Sequence, residues 1–444
     1  MTISRRKFIV QSGCALSAIA VPTIVPASVF GANAPSNRIN VGFIGTGRQA
    51  FSANLPQMMA VPGVQVVVVC DVDSWRLGEA KGVVDTFYAH RDNIPTHNAC
   101  RTRADFRDVI ADPDIDALMI GTPDHWHILM GLMAARAKKH FALEKPISLS
   151  VQQGRLLADV VKSTGVTARN DSEFRSLRPQ NHAVELVRNG HIGKLERIEI
   201  IFPSDPTPVG VQPDMPVPPE LNYDLWLGPT AAVPYTEKRV HDRKQHNQRP
   251  NWMRISTYAQ GMIANWGAHY FDMAQWANNS EHTGPVEVEG RGEFPVSLWN
   301  TMINFKVHYR YANGVEMTCQ QTPTSTPSIT YFGSEAWIKV DAYPGTMTAS
   351  KPELLTREPE AGELDFSKTL WDKNDLIAAI REGRQPLEPI EVGHRTISIA
   401  QIGLIAAQVE DRLRWNPEME KFEGNNYANA LLAAPLARPQ WTIA

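Results

Sequence analysis

The chain has 444 residues, about three times the ~150 typical of one domain, which favours two or three domains with a sizeable core. Hydrophobic residues make up 43% and charged residues 20%, a globular composition that excludes a disordered or fibrous chain. Lys plus Arg (44) nearly balances Asp plus Glu (47) with no long basic run, which argues against a nucleic-acid binder, and four cysteines without a CxxC pair exclude a disulfide scaffold and structural zinc.

The charge balance is uneven along the chain: no Asp or Glu precedes Asp71. Ser4-Arg5-Arg6-Lys7-Phe8-Ile9 opens a basic leader, followed by a mostly apolar run over residues 14–25 and small residues through Ala32-Asn33-Ala34. A basic start, a short apolar segment and a small-residue end describe an export signal. The run contains Pro22 and is shorter than the ~20 residues a spanning helix needs, so no stable membrane anchor is expected. An arginine pair followed by Phe and an aliphatic residue resembles the twin-arginine signal, which exports folded proteins. The expectation is a leader over residues 1–34 and a mature protein that is periplasmic or otherwise exported.

Ile39–Ile44 is a short β-rich run that leads into Gly45-x-Gly47-x-x-Ala50. A strand, this glycine pattern and then a helix form the dinucleotide fingerprint. The first glycine permits the tight turn, the second admits a pyrophosphate, and the helix N-terminus faces the phosphates. Arg48 is read with this cofactor loop. Val64–Cys70 reads as a buried parallel strand ending in Asp71, 26 residues beyond Gly45. An acid there accepts bonds from ribose hydroxyls and repels a 2′-phosphate, favouring NAD, while Arg76 keeps NADP open. The plain alternative is that Asp71 only caps the next helix.

Residues 116–120 form a further strand whose end delivers Thr122-Pro123 and His127; a helix over 128–137 follows. Residues 140–143 form the next strand, ending in Glu144-Lys145-Pro146. Ligands of open α/β sheets bind beyond the carboxyl ends of the strands, so both loops belong to a cofactor site. The reading is a Rossmann domain over residues 35–165. His125 and His127 resemble a metal pair only superficially, and no metal is expected.

Beyond residue 197 the texture changes to alternating runs at 197–202, 286–294, 301–311, 315–321 and 336–340, separated by Gly, Pro and Asn turns. They predict a large, mainly antiparallel open sheet in an α+β domain over residues 166–444, with helices over 372–382 and 390–412 packing back on the first domain. The Pro-rich stretch 203–219 reads as an irregular surface loop.

Together these motifs resemble the glucose–fructose oxidoreductase, inositol dehydrogenase and rhizopine-catabolism (Gfo/Idh/MocA) family. The likeness continues through Trp226-Leu-Gly-Pro229, Asn265-Trp-Gly-Ala-His269-x-x-Asp272 and Glu391-Val-Gly-His-Arg395. It implies an NAD(P)-dependent oxidoreductase acting on a sugar, glycoside or polyol, working as a homo-oligomer. Alternatively it implies an NAD-dependent glycoside hydrolase that oxidises transiently and eliminates, or a non-catalytic carbohydrate- or cofactor-binding protein that kept the fold. An exported enzyme would have to hold its cofactor tightly and recycle it.

Oxidising an alcohol carbon needs a group that takes the hydroxyl proton. Lys145, at a strand end before a proline, is the first choice, against a structural pair with Glu144. His269 is the second. The family often has an Asp four residues before this His; here it is Asn265, an amide that orients a hydroxyl but is no base. Asp272 is read as orienting His269 or the substrate, with a structural role as the alternative. Arg175 and Trp252, with Trp266, are candidate sugar contacts or packing residues. Cys70, Cys100 and Cys319 follow the leader, an odd number that predicts at least one free thiol.

Overall fold

A computed structural model describes residues 38–323, 326–342 and 345–442. The leader expected over residues 1–34 lies outside the described residues. Two sheets share one compact unit, Ile39–Ala444. The first contains β1 (Ile39–Ile44), β2 (Val64–Cys70), β3 (Arg101–Arg103), β4 (Ala117–Ile120), β5 (His140–Glu144) and β6 (Ala168–Asp171), in the order β3-β2-β1-β4-β5-β6. All its neighbours are parallel. Strand order reverses between β1 and β4, the crevice at which doubly wound sheets bind dinucleotides. Continuous aliphatic runs such as Val64–Cys70 suit strands covered on both faces, and β4 is buried at every position.

The second sheet contains β7 (Leu195–Pro203), β8 (Glu287–Glu293), β9 (Ile303–Arg310), β10 (Glu316–Thr322), β11 (Ser328–Gly333), β12 (Trp337–Asp341), β13 (Met347–Ala349), β14 (Leu413–Asn416) and β15 (Lys421–Phe422). Its order is β13-β12-β11-β7-β10-β9-β8-β14-β15, antiparallel throughout except for the β7–β10 pair. Period-two alternation decides which face is buried. Ile198, Ile200 and Phe202 point inward while Arg197 and Glu199 stay outside, and Val307, Tyr309, Met317 and Cys319 repeat the pattern. Each fully buried aliphatic or aromatic side chain contributes about 1.5–3 kcal/mol.

The inner face is covered by helices, chiefly Gly267–Ala277 and Ile390–Val409. Helix Ile390–Val409 is apolar nearly all round because it is buried on both sides, between this sheet and helix Val151–Thr164 of the first. A polar seam fixes that junction: Arg155 donates to both Glu391 oxygens (2.6 and 2.8 Å) and to Glu420 (3.0 Å). Helix Asp372–Glu382 also crosses back, placing Leu376 and Ile377 in the apolar cluster beneath the first sheet with Phe43, Val66 and Tyr88. Residues 204–220 form no regular element longer than a turn. Cys70, Cys100 and Cys319 are all free and buried.

Candidate active site

At the end of β1, Gly45 has φ +91°, and a Cβ there would lie 2.5 Å from the Gly121 carbonyl oxygen. Only glycine lets the turn pack this closely on the end of β4. Gly47 differs: a Cβ there meets nothing within 4 Å, because it faces open space. The chain then enters a wide π-type turn, Ala50–Asn54, and the helix Leu55–Ala60. Asp71 follows β2, and its carboxylate accepts hydrogen bonds from the backbone N–H (2.7 Å) and hydroxyl (3.0 Å) of Thr46 and from the Asp73 N–H (2.9 Å). An open glycine cradle beside a fixed acid fits the pyrophosphate and ribose of NAD.

Arg76 is engaged elsewhere. Its guanidinium donates to the Gln245 carbonyl (2.7 Å) and to His241 (3.3 Å), and Asp73 lies 3.9 Å away. The His246 ring stacks on Phe51 at 3.6 Å and on Trp75 at 4.6 Å. A segment from the second half of the chain thus roofs the adenosine end of the crevice, and no free guanidinium at Arg76 is left for a 2′-phosphate.

These elements open on one cavity of about 560 Å³. Its wall includes Gly45, Gly47, Arg48, Asp71, Thr122, Pro123, Glu144, Lys145, Trp252, Asn265 and His269 from the expected set. Lys145 follows β5, before the cis peptide to Pro146. The pair with Glu144 considered from the sequence does not form: Glu144 accepts from the Asn54 amide (2.8 Å), and among the described residues Lys145 has no ion-pair partner. Burial, with Asp171 beside it, pushes Glu144 up to about 8, against the charges of Lys145 and Lys373, which favour its carboxylate.

His269 sits at the start of helix Gly267–Ala277. Its Nδ1 lies 2.8 Å from the Ser172 hydroxyl, and its ring stacks on Phe174 at 4.5 Å. Burial, reinforced by the Lys145 charge, holds its pKa well below the ordinary value. A neutral imidazole next to a lysine can therefore exchange hydrogen bonds with a substrate hydroxyl.

Three expected residues stand outside the cavity wall. Each has its polar groups satisfied by the protein. His127 is buried, with Nδ1 2.7 Å from the Pro146 carbonyl and Nε2 2.8 Å from the Thr122 carbonyl. Burial outweighs the two carbonyls and lowers its pKa to about 4, so the neutral ring donates to one of them; it stands behind the two cofactor loops, outside the cavity wall. Arg175 and Asp272, expected at the substrate, pair with each other through Nε (2.8 Å) and Nη2 (2.7 Å), at 3% and 0% side-chain exposure. Glu281 lies 2.8 Å from Arg175, and the Trp276 ring packs on its guanidinium at 4.7 Å. Burial and this pairing leave neither side chain a surface on the cavity.

Several wall residues have no precedent in the sequence reading. Lys373, buried, donates to Asp171 and to Asp372 (2.8 Å). Burial opposes its charge, but the two carboxylates outweigh that and raise its pKa. Arg249 donates to Asn265 Oδ1 at 2.7 Å. Asp124 and Glu173 also line the cavity, and burial pushes both carboxyls upward. The one sequence signal for Arg249 is the density of Arg, Lys and His over residues 238–254.

Comparisons with known proteins agree with this fold. An oxidoreductase-family NAD-binding Rossmann model matches residues 39–172, and the family's C-terminal α/β domain model matches residues 209–443. An uncharacterized oxidoreductase (ORF334) of Rhizobium meliloti is 27% identical over 44% of this chain and 55% of its own length. A glycosyl hydrolase family 109 protein of Shewanella sp. (strain W3-18-1) is 28% identical over 38% of this chain and 36% of its own. The chain thus spans about half or less of these curated relatives. Aldose–aldose oxidoreductase from Caulobacter crescentus, solved with glycerol, superposes with a TM-score of 0.61 at 18% identity, over 85% of this chain and 99% of that one. With both halves matched in order, the chain belongs to the Gfo/Idh/MocA oxidoreductase family and carries its NAD-binding Rossmann fold.

Proposed function

We propose that this protein is an NAD-dependent oxidoreductase acting on a hydroxyl of a sugar, glycoside or polyol. One observation carries the reading: a single cavity joins the Gly47 cradle and Asp71 to a lysine without a counter-ion and a neutral histidine. Gly47, Arg48 and Asp71 would hold the pyrophosphate and ribose, and Thr122, Pro123 and Glu144 would border the nicotinamide. When bound, NAD supplies a hydride acceptor for the carbinol carbon. Lys145 Nζ, once it has given up its own proton to solvent, takes the hydroxyl proton as a free amine, and His269 holds the same or the adjacent oxygen in line. Trp252 and Trp266 offer flat faces to the sugar. Arg76, already spent on the roofing segment, supports NAD over NADP.

We extend the proposal to an exported protein that folds around its cofactor and recycles it. The residue pattern of the leader supports export, and the roof of His241, Gln245 and His246 supports retention.

The likeness to a family 109 hydrolase favours a second reading, in which the same proton and hydride removal precedes elimination and glycoside cleavage. Products separate the two. NAD-loaded protein is incubated with a panel of sugars and aryl glycosides, and products are read by mass spectrometry. The expected result is a product two hydrogens lighter than its sugar, while release of the aryl group with no net change in nicotinamide would establish the hydrolase instead.

A further inference from the structure

Five cationic Lys and Arg side chains line the cavity: Arg48, Arg76, Lys145, Arg249 and Lys373. Two are neutralised, Lys373 by Asp171 and Asp372 and Arg76 by Asp73. Among the described residues, Arg48, Lys145 and Arg249 have no carboxylate within ion-pair distance. Arg48 follows the glycine cradle and suits the cofactor's pyrophosphate; Lys145 is assigned to the reacting hydroxyl. Arg249 is left over.

Its surroundings are those of a guanidinium kept for a ligand. Nη2 donates to Asn265 Oδ1 at 2.7 Å, which fixes the plane of the fork, and its other donors have no partner among the described residues. Asp205 and Asp124 act on it only through space. Asp205 has its short contact with Arg254 (3.6 Å), Asp124 forms no ion pair among the described residues, and burial pushes both carboxyls upward. Burial also lowers Arg249 to about 10, and Asp205 and Asp124, acting through space, offset only part of that desolvation cost. An acid at position 265 would complete that pair internally and repel an incoming anion. Asn265 orients the guanidinium without neutralising it.

We propose that the substrate is a sugar acid whose carboxylate is bound by Arg249, with Asn265 as the positioning residue. A planar fork matches a carboxylate bidentately, and one guanidinium balances one charge, whereas a phosphate monoester brings nearly two. The inference rests on the oxidoreductase reading above and narrows its substrate class.

The test begins with an NAD titration, which checks that reading by itself: a protein that binds no NAD removes the enzyme, not merely its acid preference. With NAD saturating, the tryptophan fluorescence of the cavity (Trp226, Trp252 and Trp266 line it) is titrated with D-glucuronate, D-galacturonate, their methyl esters and hexose phosphates. The ester keeps the shape and removes the charge. The expected result is an acid bound at least about tenfold more tightly than its ester, as for a charge-assisted hydrogen-bond pair. Arg249→Met and, separately, Asn265→Asp should each bring that ratio near one while NAD affinity is kept. Using two substitutions keeps the test alive if one variant fails to fold. Equal affinities for acid and ester overturn the proposal, as does a hexose phosphate preferred over both uronates. Loss of NAD affinity in Arg249→Met would reassign this arginine to the cofactor.

Discussion

Lys145→Ala is expected to lower turnover by about 10²–10⁴-fold, the range typical of a lost general acid–base group, while NAD affinity stays within a few-fold of the parent. The structure separates the two effects. The parts that fit the cofactor, Gly47 and the Asp71 carboxylate fixed by Thr46 and Asp73, make no hydrogen bond to the lysine. The loop itself is held from behind by His127, whose ring lies between the Pro146 and Thr122 carbonyls, so shortening Lys145 removes no clamp. Single-turnover kinetics with a reactive sugar alongside an NAD titration checks this. A near-normal rate would refute the assignment, and joint loss of both readouts would make Lys145 a cofactor ligand first.

Asp272→Ala should act on stability instead. It strips two charge-assisted bonds from a guanidinium with 3% side-chain exposure, and breaking a buried pair from one side costs about 3–5 kcal/mol. Glu281 keeps one contact with Arg175, which places the expected loss at the lower end. The measurement is the thermal midpoint together with kcat of the protein that remains folded. A large fall in the midpoint with kcat nearly preserved supports the structural role. A preserved midpoint with kcat lost would return Asp272 to the catalytic group, and Asp272→Asn, which keeps the shape, should recover part of the stability.

What the sequence reveals follows from the range of each physical signal. The β1 run, the glycine pattern and Asp71 lie within one short stretch, and each is forced by local geometry: a buried parallel strand, a turn with positive φ, an acid at a strand end. They were readable for that reason. The inward alternation of β7, β9 and β10 is equally local. Strands β3, β6, β13, β14 and β15 escaped because they are short or edge elements whose partners, not their composition, make them strands; β11 escaped although it has six residues and lies between β12 and β7. Lys373 was invisible for a different reason: its carboxylate Asp171 stands 202 positions away in the chain. Arg175 and Asp272 show the same limit. Helical spacing puts Asp272 near His269 on one helix, but only packing decides that His269 faces the cavity while Asp272 turns to Arg175. Arg249 lies between regular elements, where periodicity says nothing.

If this crevice holds NAD and a carbohydrate reduces it there, the nicotinamide itself reports both events. The most direct measurement is to denature the purified protein, quantify the nicotinamide released, then reload native protein with NAD and follow reduced nicotinamide as sugars and sugar acids are added. The expected result is up to one NAD per chain, retained through purification or restored by titration, and one equivalent reduced per chain by a carbohydrate hydroxyl. Protein that releases no nicotinamide and binds neither NAD nor NADP would contradict it.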